Sequence, residues 1–206
     1  YAEAEDPLWV TKLERSEAEL ASRYALLELN GLPSWLGSLA KAHPTAVESV
    51  VGTELLDELL DAGGDSGWYS MVLQSLRNST QEVAQPLLPR LVGWLAWSGS
   101  ALVQLPHSPS NEQKLSQVVR VLLVHAGPEI TSHLERLAAS QVLAAGTDPY
   151  LLFWLPVLFS LAPLRGVESM LAVLATLPVE PNGAAVRIIG SLFSERTDPG
   201  MTDWVS

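Results

Sequence analysis

Apolar residues recur at three- and four-residue spacing along nearly the whole chain, and strand-like alternation is almost absent. The pattern predicts an all-α fold. Asp6 followed by Pro7 makes an N-cap with proline at the first helical position, and the helix it opens can run to Asn30 and Gly31, a C-terminal stop. Further breaks fall at His43-Pro44, Gly63-Gly64, Asn78-Ser79-Thr80, Gly127-Pro128, Asp148-Pro149, Ala162-Pro163 and Pro181-Asn182-Gly183, each between helical patterns.

The spacing of these breaks carries more information than any single one. The second helix of successive pairs is expected to begin at Pro44, Thr80, Pro128 and Pro163, at intervals of 36, 48 and 35 residues. The long middle interval contains the polar, proline-bearing stretch 98–111, which reads as a loop insertion; without it the period is roughly 35 throughout. Two helices per unit at that period describe a helical solenoid, because one amphipathic pair buries both faces only when neighbours stack on it. Internal similarity agrees: Trp35-Leu36, Leu39, Pro44 and Val47-Glu48-Ser49 are echoed by Trp154-Leu155, Leu158, Pro163 and Val167-Glu168-Ser169. The expected architecture is therefore antiparallel helix pairs stacked as a short right-handed α-solenoid of about four to five pairs, one domain over 1–206 that belongs to a longer chain.

Composition narrows the function classes. With no cysteine, a disulfide framework, a thiolate metal site and a cysteine nucleophile are all excluded. The formal net charge is -11, and residues 1–65 hold 13 of the 23 acids against 4 of the 12 bases, which disfavours nucleic acid binding through a basic surface. Charged residues make up only 17% of the chain, so much of its surface is expected to be covered. The uncharged run 150–164 spans 15 residues where a bilayer crossing needs about 20, and Pro156 and Pro163 interrupt it; a helix buried on most of its circumference is expected, with no membrane span. No basic and apolar leader opens the chain, and the expected location is the cytoplasm.

The tetratricopeptide and ankyrin patterns are missing, which leaves the HEAT-like and armadillo-like class. Within it, residues 32–55 (LPSWLGSLAKAHPTAVESVVGTEL) resemble segments of the HEAT-like helical regions that follow the NTPase module of bacterial NACHT-type, or STAND, proteins. The resemblance implies a sensor or scaffold region whose ATP-binding machinery lies elsewhere, and it carries over no catalytic or ligand residue. In keeping with this, the chain has neither a G-x-x-x-x-G-K-[ST] loop nor a G-x-G-x-x-G turn.

Other constellations invite chemistry and have plainer readings. Gly64-Asp65-Ser66-Gly67 resembles the segment around a serine-protease nucleophile, but Trp68 follows and the context is helical, so a capped turn is expected. His125, Glu129 and His133 are four residues apart, yet Gly127-Pro128 separates the first from the others, and a capped junction is expected rather than a metal. Glu54, Asp57, Glu58 and Asp61, with Asp65, form a solvated helical face or an acidic docking face for a basic partner. Of seven tryptophans most belong in the core, while Trp94 and Trp97, three residues apart, are the candidate exposed contact patch. No catalytic, metal or cofactor site is expected. The leading expectation is a non-catalytic scaffold or sensor region contacting a protein or another domain of its own chain; the alternative is an all-helical domain holding an apolar small molecule against 150–161.

Overall fold

A computed structural model describes residues 6, 8–28, 31–61, 68–102, 108–145, 150–177 and 183–193. Among them are eleven α-helices and no strand. The helices are α1 (Arg15–Ala25), α2 (Leu36–Ala42), α3 (Pro44–Leu60), α4 (Met71–Arg77), α5 (Gln81–Ala84), α6 (Leu88–Leu102), α7 (Pro109–His125), α8 (Pro128–Ala145), α9 (Tyr150–Leu161), α10 (Pro163–Thr176) and α11 (Ala184–Phe193). The expected starts at Pro44, Pro128 and Pro163 are the first residues of α3, α8 and α10, and Thr80 is the N-cap of the short α5. The fold divides into two units, Tyr1–Trp97 with Ser108–Gly127 and Ser98–His107 with Pro128–Ser206.

In the first unit the helix expected from Asp6 to Asn30 is split. Trp9–Lys12 form a single 3-10 turn, held by Asp6 Oδ1 accepting from the Leu8 amide at 3.1 Å and by the Lys12–Asp6 ion pair. The chain extends at Leu13, and α1 restarts where the Glu14 amide donates to Glu17 Oε2 at 2.8 Å. The 3-10 turn packs on α2, with Trp9 edge-on to Trp35 at 5.7 Å, and α1 packs on both α2 and α3. His43, the sole linker between α2 and α3, bonds the Val10 carbonyl at 2.8 Å through Nε2.

In the second unit, too, three consecutive helices contact one another. α8, α9 and α10 contact one another as α1, α2 and α3 do, and α11 packs on α9. A single residue again links the pair: Ala162 (φ -148°, ψ 82°) stands where His43 (φ -133°, ψ 59°) stands, each followed by proline at the first helical position. The duplicated sequence motif is thus a duplicated helix-linker-helix geometry.

α9 is buried on most of its circumference, with Leu151, Phe153, Trp154, Leu155, Val157 and Leu158 all in the core. The helix runs over Tyr150–Leu161 as the sequence leads one to expect, with Pro156 inside it. An interior proline costs about 3 kcal/mol, whereas each fully buried large side chain contributes roughly 1.5–3 kcal/mol, and this helix has several on each side of Pro156. None of the described helices is long and apolar enough to cross a membrane.

The loop insertion expected at 98–111 is shorter than the sequence suggests. α6 continues to Leu102 and α7 begins at Pro109, leaving only 103–107, which lie outside the described residues. Ser108 starts α7 by accepting from the Asn111 amide at 3.3 Å, a serine cap before proline that the polar composition of the stretch disguises.

Candidate functional site

The polar chemistry of the first unit gathers along α7, whose Lys114 and His125 are both buried. Each closes the C-terminus of another helix. α3 ends in Asp57, Glu58 and Asp61 with no basic residue in its last turn, so acidic side chains sit at the negative end of its dipole. Lys114 supplies the missing cation from α7: Nζ donates to the Leu59 carbonyl at 3.0 Å and to the Asp61 carbonyl, and lies 5.3 Å from the centre of the Trp68 ring. Loss of solvent pushes the Lys114 ammonium below its ordinary range, against the smaller opposing pull of Asp61.

Trp68 is pinned from two directions, its amide donating to Gln113 Oε1 and its indole Nε1 to the Glu58 carbonyl, both at 3.0 Å. Beside it, the buried Ser70 caps α4 by accepting from the Leu73 amide at 2.9 Å, and its hydroxyl donates to Glu58 Oε2. Burial raises the Glu58 carboxyl above the usual carboxylate range, outweighing the Ser70 hydrogen bond, with repulsion from Glu54 adding to the rise. A raised folded-state value means that Glu58 stabilises the fold fully below 4.5 and loses that contribution as pH rises through its folded value. In Glu58→Gln, the part of the stability change that sets in as pH rises above 4.5 should therefore flatten, as read by urea denaturation at successive pH values; an unaltered pH profile would exclude Glu58 as its source.

At the far end of α7, His125 Nε2 faces the Leu76 carbonyl at 2.9 Å and the Arg77 carbonyl at 3.1 Å. Carbonyls only accept, so Nε2 carries the proton. Gln81 Nε2 donates to the His125 carbonyl at 2.9 Å, tying the start of α5 to the end of α7. His125 is therefore the cap of α4. No group of three His, Asp or Glu among the described residues could hold a metal, and Glu129 is exposed on α8.

Comparison with protein families, curated proteins and solved structures finds no match to this chain.

Two of the other candidate sites are rearranged. Trp94 is 8% exposed and belongs to the core, whereas Trp97 is 56% exposed, so the two do not form one contact patch. A spacing of three turns side chains about 60° apart on a helix, enough to carry one inside and leave the other out. Of the acidic face, Glu54, Asp57 and Asp61 are exposed and Glu58 is turned to Ser70. The turn at 64–67 lies outside the described residues.

Between α4 and α7 lies an open depression of about 250 Å³ that sequence reading missed. It is lined by Tyr69, Leu73, Gln74, Arg77, Asn78, Gln117 and Arg120. The basic residues look scattered along the chain; only the contact of α4 with α7 brings these two arginines to one depression.

Proposed function

We propose that this chain is a helical-repeat scaffold or sensor segment of HEAT-like type, without catalytic activity, whose work is to bind a protein or another part of its own longer chain in the cytoplasm. The observation that supports it is an apolar stripe left open on α10: Leu164, Val167 and Leu171, spaced by three and four, are 83%, 40% and 57% exposed. On α3, by contrast, Val47 and Val51 are 0% exposed, and the chain that follows provides part of the cover, since Leu87 and Arg90 lie against α3 at Gly52.

An open apolar stripe on an otherwise packed helix is what a stack of repeats presents to its next neighbour. α1 and the turn that follows it carry a second open stripe, Leu20, Tyr24 and Leu27, spaced by four and three. Stacked helix pairs extended at these faces would form the solenoid, and the resemblance of 32–55 to helical regions of NACHT-type proteins agrees with such a place in a larger chain. The apolar-ligand alternative has less behind it, because α9 is occupied by contacts with α8, α10 and α11.

The test is Leu164→Glu with Leu171→Glu in the full-length protein. Both positions are solvent-exposed, so the thermal midpoint of the variant should stay within a few degrees of wild type. Cross-links from α10 to a partner or to a neighbouring segment should be lost. Cross-links that persist unchanged in the folded variant would reject the reading.

A further inference from the structure

The chain is strongly acidic, and its first unit, which holds most of the acid, nevertheless brings two of the twelve basic residues to one depression. We infer that the depression between α4 and α7 is a binding site for a small oxyanion, a phosphate or dicarboxylate group held by Arg77 and Arg120. Each guanidinium has five N–H donors in a planar fork, so a partner within the protein leaves donors over for a ligand.

The remaining lining is suited to the same ligand. Tyr69 donates its hydroxyl to Gln74 Oε1, which orients that amide and leaves Gln74 Nε2 as the group available to donate. Asn78 donates Nδ2 to the Gln74 carbonyl at 3.3 Å, tying the end of α4 in place. Leu73 contributes the apolar part of the floor. The α4 side, which carries Arg77, is fixed at both ends, by Ser70 at its start and His125 at its close.

The experiment is calorimetric titration of the full chain with inorganic phosphate and, separately, with succinate, at constant ionic strength so that general screening is held fixed. Binding of at least one of them with Kd on the order of 1 mM or tighter is expected. Phosphate alone would assign the site to phosphate groups, succinate alone to dicarboxylates, and both to either source. Arg77→Gln and Arg120→Gln should each weaken binding about tenfold or more, while Arg165→Gln, whose partner is Glu135 in the other unit, should leave it unchanged. Amide chemical-shift changes in the wild-type chain supply a readout that does not depend on any variant folding, and they should centre on Tyr69, Gln74, Asn78 and Gln117. No binding of either anion at ~10 mM, shifts centred elsewhere, or unchanged affinity in the folded Arg77→Gln and Arg120→Gln chains would overturn the assignment.

Discussion

Lys114→Met should destabilise the first unit by about 2 kcal/mol, even though methionine nearly matches the lysine stem in volume and hydrophobic character. The carbonyls of Leu59 and Asp61 would lose the ammonium that now satisfies them, and each buried acceptor left unpaired costs roughly 1–3 kcal/mol. The end of α3 would also face its own Asp57, Glu58 and Asp61 with no cation to offset them. Against this stands the relief of no longer burying a charge, which keeps the expected loss below the plain sum. Urea denaturation followed by tryptophan fluorescence, to which Trp68 beneath Nζ contributes, measures the difference. A variant as stable as wild type would mean that the buried charge costs as much as its hydrogen bonds contribute.

The same substitution has a pH signature of definite sign. Because burial lowers the Lys114 value in the fold, the unfolded chain binds that proton more tightly between the lowered value and 10.5. Stability from this group therefore rises with pH through that window and is lost as pH falls through the folded value. The Lys114→Met variant should lack that part of the slope.

Gly166→Val should cost the second unit about 2–3 kcal/mol. A side chain at Gly166 begins with a Cβ placed 2.9 Å from both Cγ and Cδ2 of Phe159 and 3.2 Å from the Phe159 Cα. The ring atoms nearest the backbone have little freedom to withdraw and the Cα has less, since Ala162 alone joins α9 to α10 and the pair cannot slide apart. Helix propensity works in the opposite direction, as replacing a mid-helix glycine by alanine contributes about 0.5–1 kcal/mol. Gly166→Ala separates the two effects. Thermal unfolding should place it below wild type, with Gly166→Val lower still, and Phe159→Ala should partly rescue the valine in a double-mutant cycle. An alanine variant more stable than wild type would show that propensity outweighs the close approach.

Gly52 makes a useful contrast with Gly166. A Cβ there would meet Arg90 Cδ and Nε at 2.9 Å, atoms of a long side chain that crosses α3 to pair with Glu48. That chain can move aside, whereas Phe159 cannot, so two helical glycines with equal contact distances differ in what substitution does.

Proline and cap residues were legible because their effect is local: a residue without an amide can begin a helix, and a serine or threonine before it can accept from the first turn. That logic located Pro44, Pro128 and Pro163, and the motif shared by residues 35–49 and 154–169 marked two copies of one local geometry. The buried helix over 150–161 was legible as well, although its interior Pro156 is offset only by burial against other helices. The same logic failed at Trp94 and Trp97, whose spacing is visible in the sequence while the width of the covered face is not.

The sequence by itself determined an all-helical chain, its main boundaries, its duplicated helix pair and its lack of the usual phosphate-binding and metal-binding signatures, since each depends on residues a few positions apart. Only the tertiary structure decided that Glu58 turns away from the acidic face, that Lys114 and His125 close the ends of α3 and α4, and that Arg77 and Arg120 line one depression. The last three of these pairings join residues about forty to fifty-five positions apart. Which partners meet over such separations is set by how the apolar faces of whole helices bury one another, and the polar groups take the neighbours that burial assigns them.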